Sequence, residues 1–149
     1  MSAALHLAGP QDLGRATALV AAFHGERGIV LSDEARRGAI APLLEGVAHG
    51  VFYLVGPALA PIGYVVVTFG WSVEFGGMDA IVDEIYVRPA VRGRGIASDV
   101  LAALPRALAG AGVKALHLEV ERGDAAARRL YARAGFAARS EYMLMSRRL

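Results

Sequence analysis

The part of the chain with the most chemical content runs Ile85-Tyr86-Val87-Arg88-Pro89-Ala90-Val91-Arg92-Gly93-Arg94-Gly95-Ile96-Ala97-Ser98. It reads as an apolar strand, a short basic turn with two glycines, and the start of a helix. The main-chain N–H groups of such a turn converge at the positive end of a helix dipole. That arrangement suits a phosphate or pyrophosphate. Glycine is useful there because it reaches backbone conformations closed to other residues and lets a ligand approach the main chain. Arg92 and Arg94 add positive charge. A phosphorylated small molecule is the expected ligand.

Three readings of the turn compete. A Walker A loop requires G-x-x-x-x-G-K-[ST], which does not occur. A dinucleotide fingerprint comes closer: Gly93 to Ser98 spell G-x-G-x-x-S, and Glu119 lies at about the distance of a ribose-binding acid. Its third small residue is Ser98 rather than Gly or Ala, and residues 88–92 separate strand from glycines where an immediate turn is required. A plain surface turn with solvated arginines is disfavoured by the strand before it, the helix after it and a second motif downstream.

Arg92-x-x-Gly95-x-Ala97, preceded by Asp83-Glu84-Ile85-Tyr86-Val87-Arg88-Pro89, resembles the Q/R-x-x-G-x-G/A signature of the GNAT N-acetyltransferases. Leu118-Glu119-Val120, followed by Asp124-x-x-Ala127-x-x-Leu130-Tyr131-x-x-x-Gly135-Phe136, resembles the same family's L-E-V…N-x-x-A-x-x-L-Y-x-x-x-G-F block. The two blocks cover roughly the C-terminal half and are specific as a pair.

The resemblance implies an acetyl-CoA-dependent N-acetyltransferase with acetyl-CoA as cosubstrate and no metal. The cosubstrate would sit in a splay between the fourth and fifth strands. Main-chain atoms of Ile85, Tyr86 and Val87 would pair with the pantetheine arm like an added strand. Main-chain N–H groups from Arg92, Gly93, Arg94, Gly95, Ile96, Ala97 and Ser98 would hold the pyrophosphate, with the Ile96 side chain turned into the core. Tyr131 would be the general acid that protonates the departing thiolate, a role a phenol suits because it is protonated at neutral pH. Asp124 stands where the family has Asn. It can cap the helix that follows but cannot donate as an amide does, which makes it a weaker contact for the cosubstrate.

The acceptor amine must attack as a free base, so a carboxylate, directly or through water, is expected to take its proton. Glu84 ranks first, then Glu119, which matches a position some relatives use, then Asp83. Alternation along a strand puts Asp83 and Glu84 on opposite faces. Each could equally be a structural charge. His117 titrates in a suitable range but is expected to be structural. The family builds its acceptor pocket from the first two helices and the segment between the third and fourth strands, here residues 70–79. That segment holds Trp71, Glu74, Phe75 and Asp79, which suits a cationic amine through cation–π and charge pairing. A small-molecule amine or a peptide amine is the expected partner, and an apolar C-terminal strand could serve a homodimer.

The supporting elements follow from pattern. Strands are expected at residues 3–7, 52–55, 62–69, 80–87, 115–120 and 141–146, and helices at 13–23, from Ser32 to about 48, 97–109 and 124–134. Pro105 should kink the third helix or end it early. The order β-α-α-β-β-β-α-β-α-β implies an α/β chain with an α+β mixed sheet, in one domain over residues 1–149. The strand-helix-strand unit from Ile81 to Val120 should be a right-handed parallel crossover.

With 149 residues, 55% of them hydrophobic, the chain can bury a sizeable core, and it contains no cysteine. That removes disulfides, thiolate metal sites and a cysteine nucleophile. Direct transfer without a covalent acyl-enzyme is therefore expected. A net charge of +2 argues against a nucleic-acid partner. No signal peptide or membrane span is read, so a cytoplasmic location is the default. Other classes remain open at this point: a non-catalytic acyl-CoA-binding regulator, a nicotinamide-binding oxidoreductase and a nucleic-acid module.

Overall fold

A computed structural model describes residues 4–149. Ala3, where the first strand was expected to start, lies outside the described residues. The chain divides into two compact units, one up to Glu119 and one over Val120–Leu149.

The first unit is built on a five-stranded sheet in the order β1-β2-β3-β4-β5. The strands are β1 (Leu5–Leu7), β2 (Gly50–Val55), β3 (Gly63–Ser72), β4 (Gly77–Val87) and β5 (Ala115–Leu118). The first four pair antiparallel, and β5 joins β4 in parallel. Their Val, Ile, Tyr and Phe content fits a pleated, buried surface. Helices α1 (Leu13–Arg27) and α2 (Asp33–Glu45) contribute Ala16, Leu19, Val20, Ile40 and Leu44 to one core, against Phe52, Leu54, Tyr64, Val66 and Tyr86. Helix α3 (Ile96–Gly110) contributes Val100, Leu104 and Leu108 to a second core, against Val65, Val67, Ala80 and Val82 on the other face of the sheet.

The helices start and stop for local reasons. Ser32 Oγ accepts from the Ala35 N–H at 3.0 Å, and Asp33 and Glu34 follow in the first turn of α2, where the dipole favours acids. Left-handed Gly28 and Gly46 end α1 and α2. In α3 the buried Val100, Leu101, Leu104 and Leu108 form one helical stripe. Helix α3 continues through Pro105 to Gly110 and does not end early.

Strands β3 and β4 are longer than expected. Half of the anticipated loop over residues 70–77 is strand, namely 70–72 and 77, joined by a tight turn in which Ser72 Oγ accepts from the Phe75 N–H and Gly76 takes a left-handed φ of 82°. Pairing of β3 with β4 extends both strands into that segment and overrides the local signal.

The second unit holds helix α4 (Ala125–Arg133). Asp124 Oδ1 accepts from the Ala127 N–H at 3.0 Å, so the aspartate does cap the helix. At the other end Phe136 N–H reaches Tyr131 O, Gly135 N–H reaches Ala132 O, and Gly135 adopts a φ of 96°. This is a Schellman stop, completed by the ring contact of Tyr131 and Phe136 at 6.3 Å. The expected strand at residues 141–146 is absent: these residues pair with no strand among the described ones. A strand is defined by a partner, and a short apolar run carries no information about one.

Candidate active site

A β-bulge organises the site. Val66 of β3 faces Glu84 while Val67 faces Val82, so Asp83 is an extra residue in β4. Before it, Ala80 and Val82 pack on the α3 side; after it, Ile85 does so. Glu84 and Tyr86 consequently turn to the α1/α2 side, with Tyr64 and Val66. Period-two alternation along β4 therefore breaks between Val82 and Glu84, which are two residues apart and lie on opposite faces. Asp83 lies within the fields of two other carboxylates, Glu84 and Glu119. Desolvation first, then repulsion from Glu84 and Glu119, pushes its carboxyl above the usual range.

Glu84 is held from two directions. Tyr64 OH donates to its Oε1 at 2.8 Å, and His24 Nε2 lies 2.8 Å from its Oε2. Burial, then the neighbouring Glu84, pushes the Tyr64 phenol well above its usual range, so it stays a donor. Behind His24, the Arg36 Nε donates to Nδ1 at 3.4 Å, while the same guanidinium bonds Asp33 Oδ1 at 2.7 Å and the Leu31 carbonyl at 3.2 Å. Phe23 packs edge-on against Tyr64, and Phe52 stacks on its other side.

The open edge lies next to this network. Pairing of β4 with β5 runs from Asp79↔Ala115 to Val82↔Leu118 and stops. Beyond it β5 ends at Leu118, while β4 runs on to Val87 with that edge unpaired by any strand among the described residues. Arg88 N–H bonds Ile62 O, which fixes the ladder phase so that Glu84 and Tyr86 direct their main-chain groups to β3. Ile85 and Val87 therefore point theirs away from β3, to that open edge. At its end Pro89–Val91 forms a short 3-10 turn, and α3 begins at Ile96. Gly93 and Gly95 have φ of 80° and 78°, and a Cβ on either would meet no atom within 4 Å. Gly95 provides no side-chain cap. The first N–H groups of α3, including those of Ala97 and Ser98, are thus left for an anion. Ile96 packs on the α3-side core, as expected.

Arg92 does not extend from the turn. Its Nε donates to Val87 O at 2.8 Å and its Nη2 to both oxygens of Glu26, at 2.8 and 2.9 Å, with the guanidinium over the Tyr86 ring. On the α1/α2 side, His117 Nε2 lies 3.2 Å from Asp79 Oδ2 and packs edge-on against Phe75. Trp71 follows Val65, Val67 and Phe69 at every second residue and so belongs to the opposite face. Of the aromatic pair expected to meet the acceptor, only Phe75 is on the side of Glu84. In the second unit, Tyr131 is on α4 with its ring against Phe136, and Asp124 is its cap.

Glu26, His24, Arg36 and Tyr64 were missed from the sequence. A usable signal existed for two of them. Arg36 is buried with Ile40 and Leu44 in one i, i+4, i+8 row of α2, and His24 continues the buried row of Ala16 and Val20 in α1. A polar residue in an apolar row announces a buried partner.

Among the described residues, no helix is long and apolar enough to cross a membrane. No curated protein matches the sequence significantly. Among solved structures, the integron cassette protein HFX_CASS3 from the mobile metagenome of Cole Harbour salt marsh is 31% identical, with 97% of this chain and 90% of that one covered and a TM-score of 0.84. An acetyltransferase candidate from Arthrobacter sp. FB24 is 30% identical, with 98% and 95% covered and a TM-score of 0.81. The aminoglycoside N-acetyltransferase AAC(6')-Iy, solved with CoA, shares the fold at 15% identity, with 99% and 95% covered and a TM-score of 0.80. The model of the acetyltransferase (GNAT) family matches residues 21–136, which include the bulged strand, the glycine turn and Tyr131. With that match over most of its length, the chain belongs to the GNAT acetyltransferase family, the acyl-CoA-dependent N-acetyltransferases.

Proposed function

We propose that the protein moves the acetyl group of acetyl-CoA to the primary amine of a small cationic molecule, as a single catalytic domain over residues 1–149. The observation that carries this reading is the unpaired stretch of β4 beyond Val82, leading into a helix start with no side-chain cap. Those features fit an amide-containing arm ending in a pyrophosphate. Ile85 and Val87 would offer main-chain groups to the arm, with Tyr86 between them shaping its other side. The N–H groups from Gly93 to Ser98 would take the pyrophosphate, with Arg92 and Arg94 supplying charge nearby. Asp124 is a minor contributor.

The amine nitrogen attacks the thioester carbonyl carbon. A C–N bond forms, the C–S bond breaks, and the sulfur leaves as thiolate. Tyr131 gives that thiolate its proton. The proton of the attacking nitrogen passes to a carboxylate, directly or through water. Glu84 is the first choice, because two donors aim it from the α1/α2 side. Asp83 and Glu119 stand beside it as alternatives. Holding amine and thioester together contributes much of the rate. The acids of this region, including Asp79, favour a cationic acceptor. A peptide amine is the second reading, since AAC(6')-Iy resembles this chain in fold alone.

Thermal melts with acetyl-CoA, CoA, NADH and ATP test the first step. Stabilisation by both CoA species and not by NADH or ATP is expected from ligand linkage. Thiol release in the presence of spermidine, kanamycin or a lysine peptide then identifies the acceptor class. A shift with NADH alone would replace this reading with a nicotinamide site, and CoA binding without thiol release on any amine would favour a regulator.

A further inference from the structure

We infer that His24 is a positioning residue for Glu84 and that Arg36 sets the tautomer in which it works. The inference rests on the reading of Glu84 as the carboxylate that handles the acceptor amine. An arginine side chain has donors and no acceptor. Because Arg36 Nε donates to His24 Nδ1 at 3.4 Å, that nitrogen carries a lone pair and the ring proton is on Nε2. The Nε2–H then donates to Glu84 Oε2 at 2.8 Å. Tyr64 OH supplies the second donor, to Oε1 at 2.8 Å.

Each part of the relay is itself held. Arg36 is 7% exposed and anchored by Asp33 and the Leu31 carbonyl. His24 is 7% exposed, and Tyr64 is fully buried between Phe23 and Phe52. The charged and titratable groups around His24 are therefore Arg36 and Asp33 from α2, Glu84 and Asp83 from β4, and Tyr64 from β3. A carboxylate has about four lone-pair sites. Two are taken by fixed donors, which orients the other two and removes the rotamer search before an amine arrives. A core that needed only filling would have used apolar residues at positions 24 and 36, as the rows to which they belong do elsewhere. Supporting residues of this kind decide whether a reacting group is held closely enough to act.

Nitrogen-15 NMR of protein labelled in the histidine rings reads the tautomer directly, with the His24 signals assigned by their loss in His24→Gln. A protonated Nε2 and a bare Nδ1 in the wild type, giving way to mixed tautomers in Arg36→Met or Arg36→Lys, are expected. An imidazolium, or a proton on Nδ1, in the wild type overturns the inference. Kinetics test the positioning. His24→Leu should lose kcat by about 10- to 100-fold with the KM for acetyl-CoA unchanged, and His24→Gln, whose amide can replace the Nε2–H, should recover most of that loss. Equal losses in the two variants, tracking only their folded fraction, would leave a structural role and defeat the inference. If Glu84→Gln keeps full turnover, the reading of Glu84 fails and this inference with it. If Glu84→Gln is inactive while His24→Leu is normal, the inference fails alone.

Discussion

Arg92 reaches back from the glycine turn and grips both oxygens of Glu26, at 2.8 and 2.9 Å, tying the end of α1 to the turn that precedes α3. The same guanidinium donates to Val87 O on the open edge of β4. Arg92, which the family motif would put beside a phosphate, here bonds the main chain that leads into the turn. The pair is substantially exposed, 47% for Arg92 and 39% for Glu26. Glu26→Ala should cost at most about 1 kcal/mol of stability, and less in high salt. It should also tighten acetyl-CoA a few-fold, since Arg92 loses its counter-charge. Arg92→Ala should weaken acetyl-CoA by about tenfold, because the Val87 carbonyl and the turn lose their cation. Calorimetric titration of both variants separates these effects. Equal weakening in both would mean that Arg92 acts only through Glu26.

Two glycines with different reasons to exist should respond differently to alanine. Gly95 has a φ of 78° but open space around it, so Gly95→Ala should cost about 1–2 kcal/mol from backbone strain and should also impair acetyl-CoA binding. Gly63 has an ordinary φ, but a Cβ there would overlap the Tyr86 carbonyl oxygen. Gly63→Ala should cost more than about 3 kcal/mol because β3 and β4 must separate. Denaturant melts that rank the two the other way would contradict the packing described for β3.

Tyr131→Phe keeps the ring that packs on Phe136 and removes only the hydroxyl. Acetyl-CoA affinity should be retained, and kcat should fall by about 100-fold. Thiol-release kinetics alongside a titration check this. A normal kcat would remove Tyr131 from the acid's role.

Acid stability depends on Asp12, which precedes α1. Its carboxylate accepts from the Gly9 N–H at 2.9 Å and from Arg15 at 2.6 Å, and these bonds, in that order, hold it below the usual carboxylate range. A depressed folded value adds stability above the unfolded value, and this is lost as pH falls through the folded one. Asp12→Asn should cost about 1 kcal/mol at pH 7, with the difference from wild type shrinking below about pH 4. Chemical denaturation at both pH values decides it; a pH-independent difference would assign the effect to shape rather than charge.

The chain has one tryptophan, Trp71, which lies 77% exposed on the face of the sheet away from Glu84. Amine binding should leave its emission unchanged, while Phe75→Ala, beside His117, should raise the acceptor KM several-fold. A clear change in Trp71 emission on adding the acceptor would place the hairpin's outer face in the acceptor path.

What could be read from the sequence was what is decided within a few residues of chain. The turn at Gly93 and Gly95, the Asp124 cap, and the Gly135-Phe136 stop that packs against Tyr131 are each closed by bonds between near neighbours. Local geometry needs no partner from elsewhere, so residue type and spacing suffice. The helices and most strands followed from the same periodicities. Tertiary structure decided everything that depended on register. The extra residue at Asp83 turns Glu84 to the α1/α2 side, and no rule of alternation foresees a bulge that exists only against Val66 and Val67. His24 meets Glu84 across 60 positions of sequence, and Arg92 meets Glu26 across 66. Residues 141–146 have the composition of a strand and have no strand partner among the described residues. Pairing and long-range polar contacts are properties of two segments at once, and a pattern read along one segment holds only half of that information.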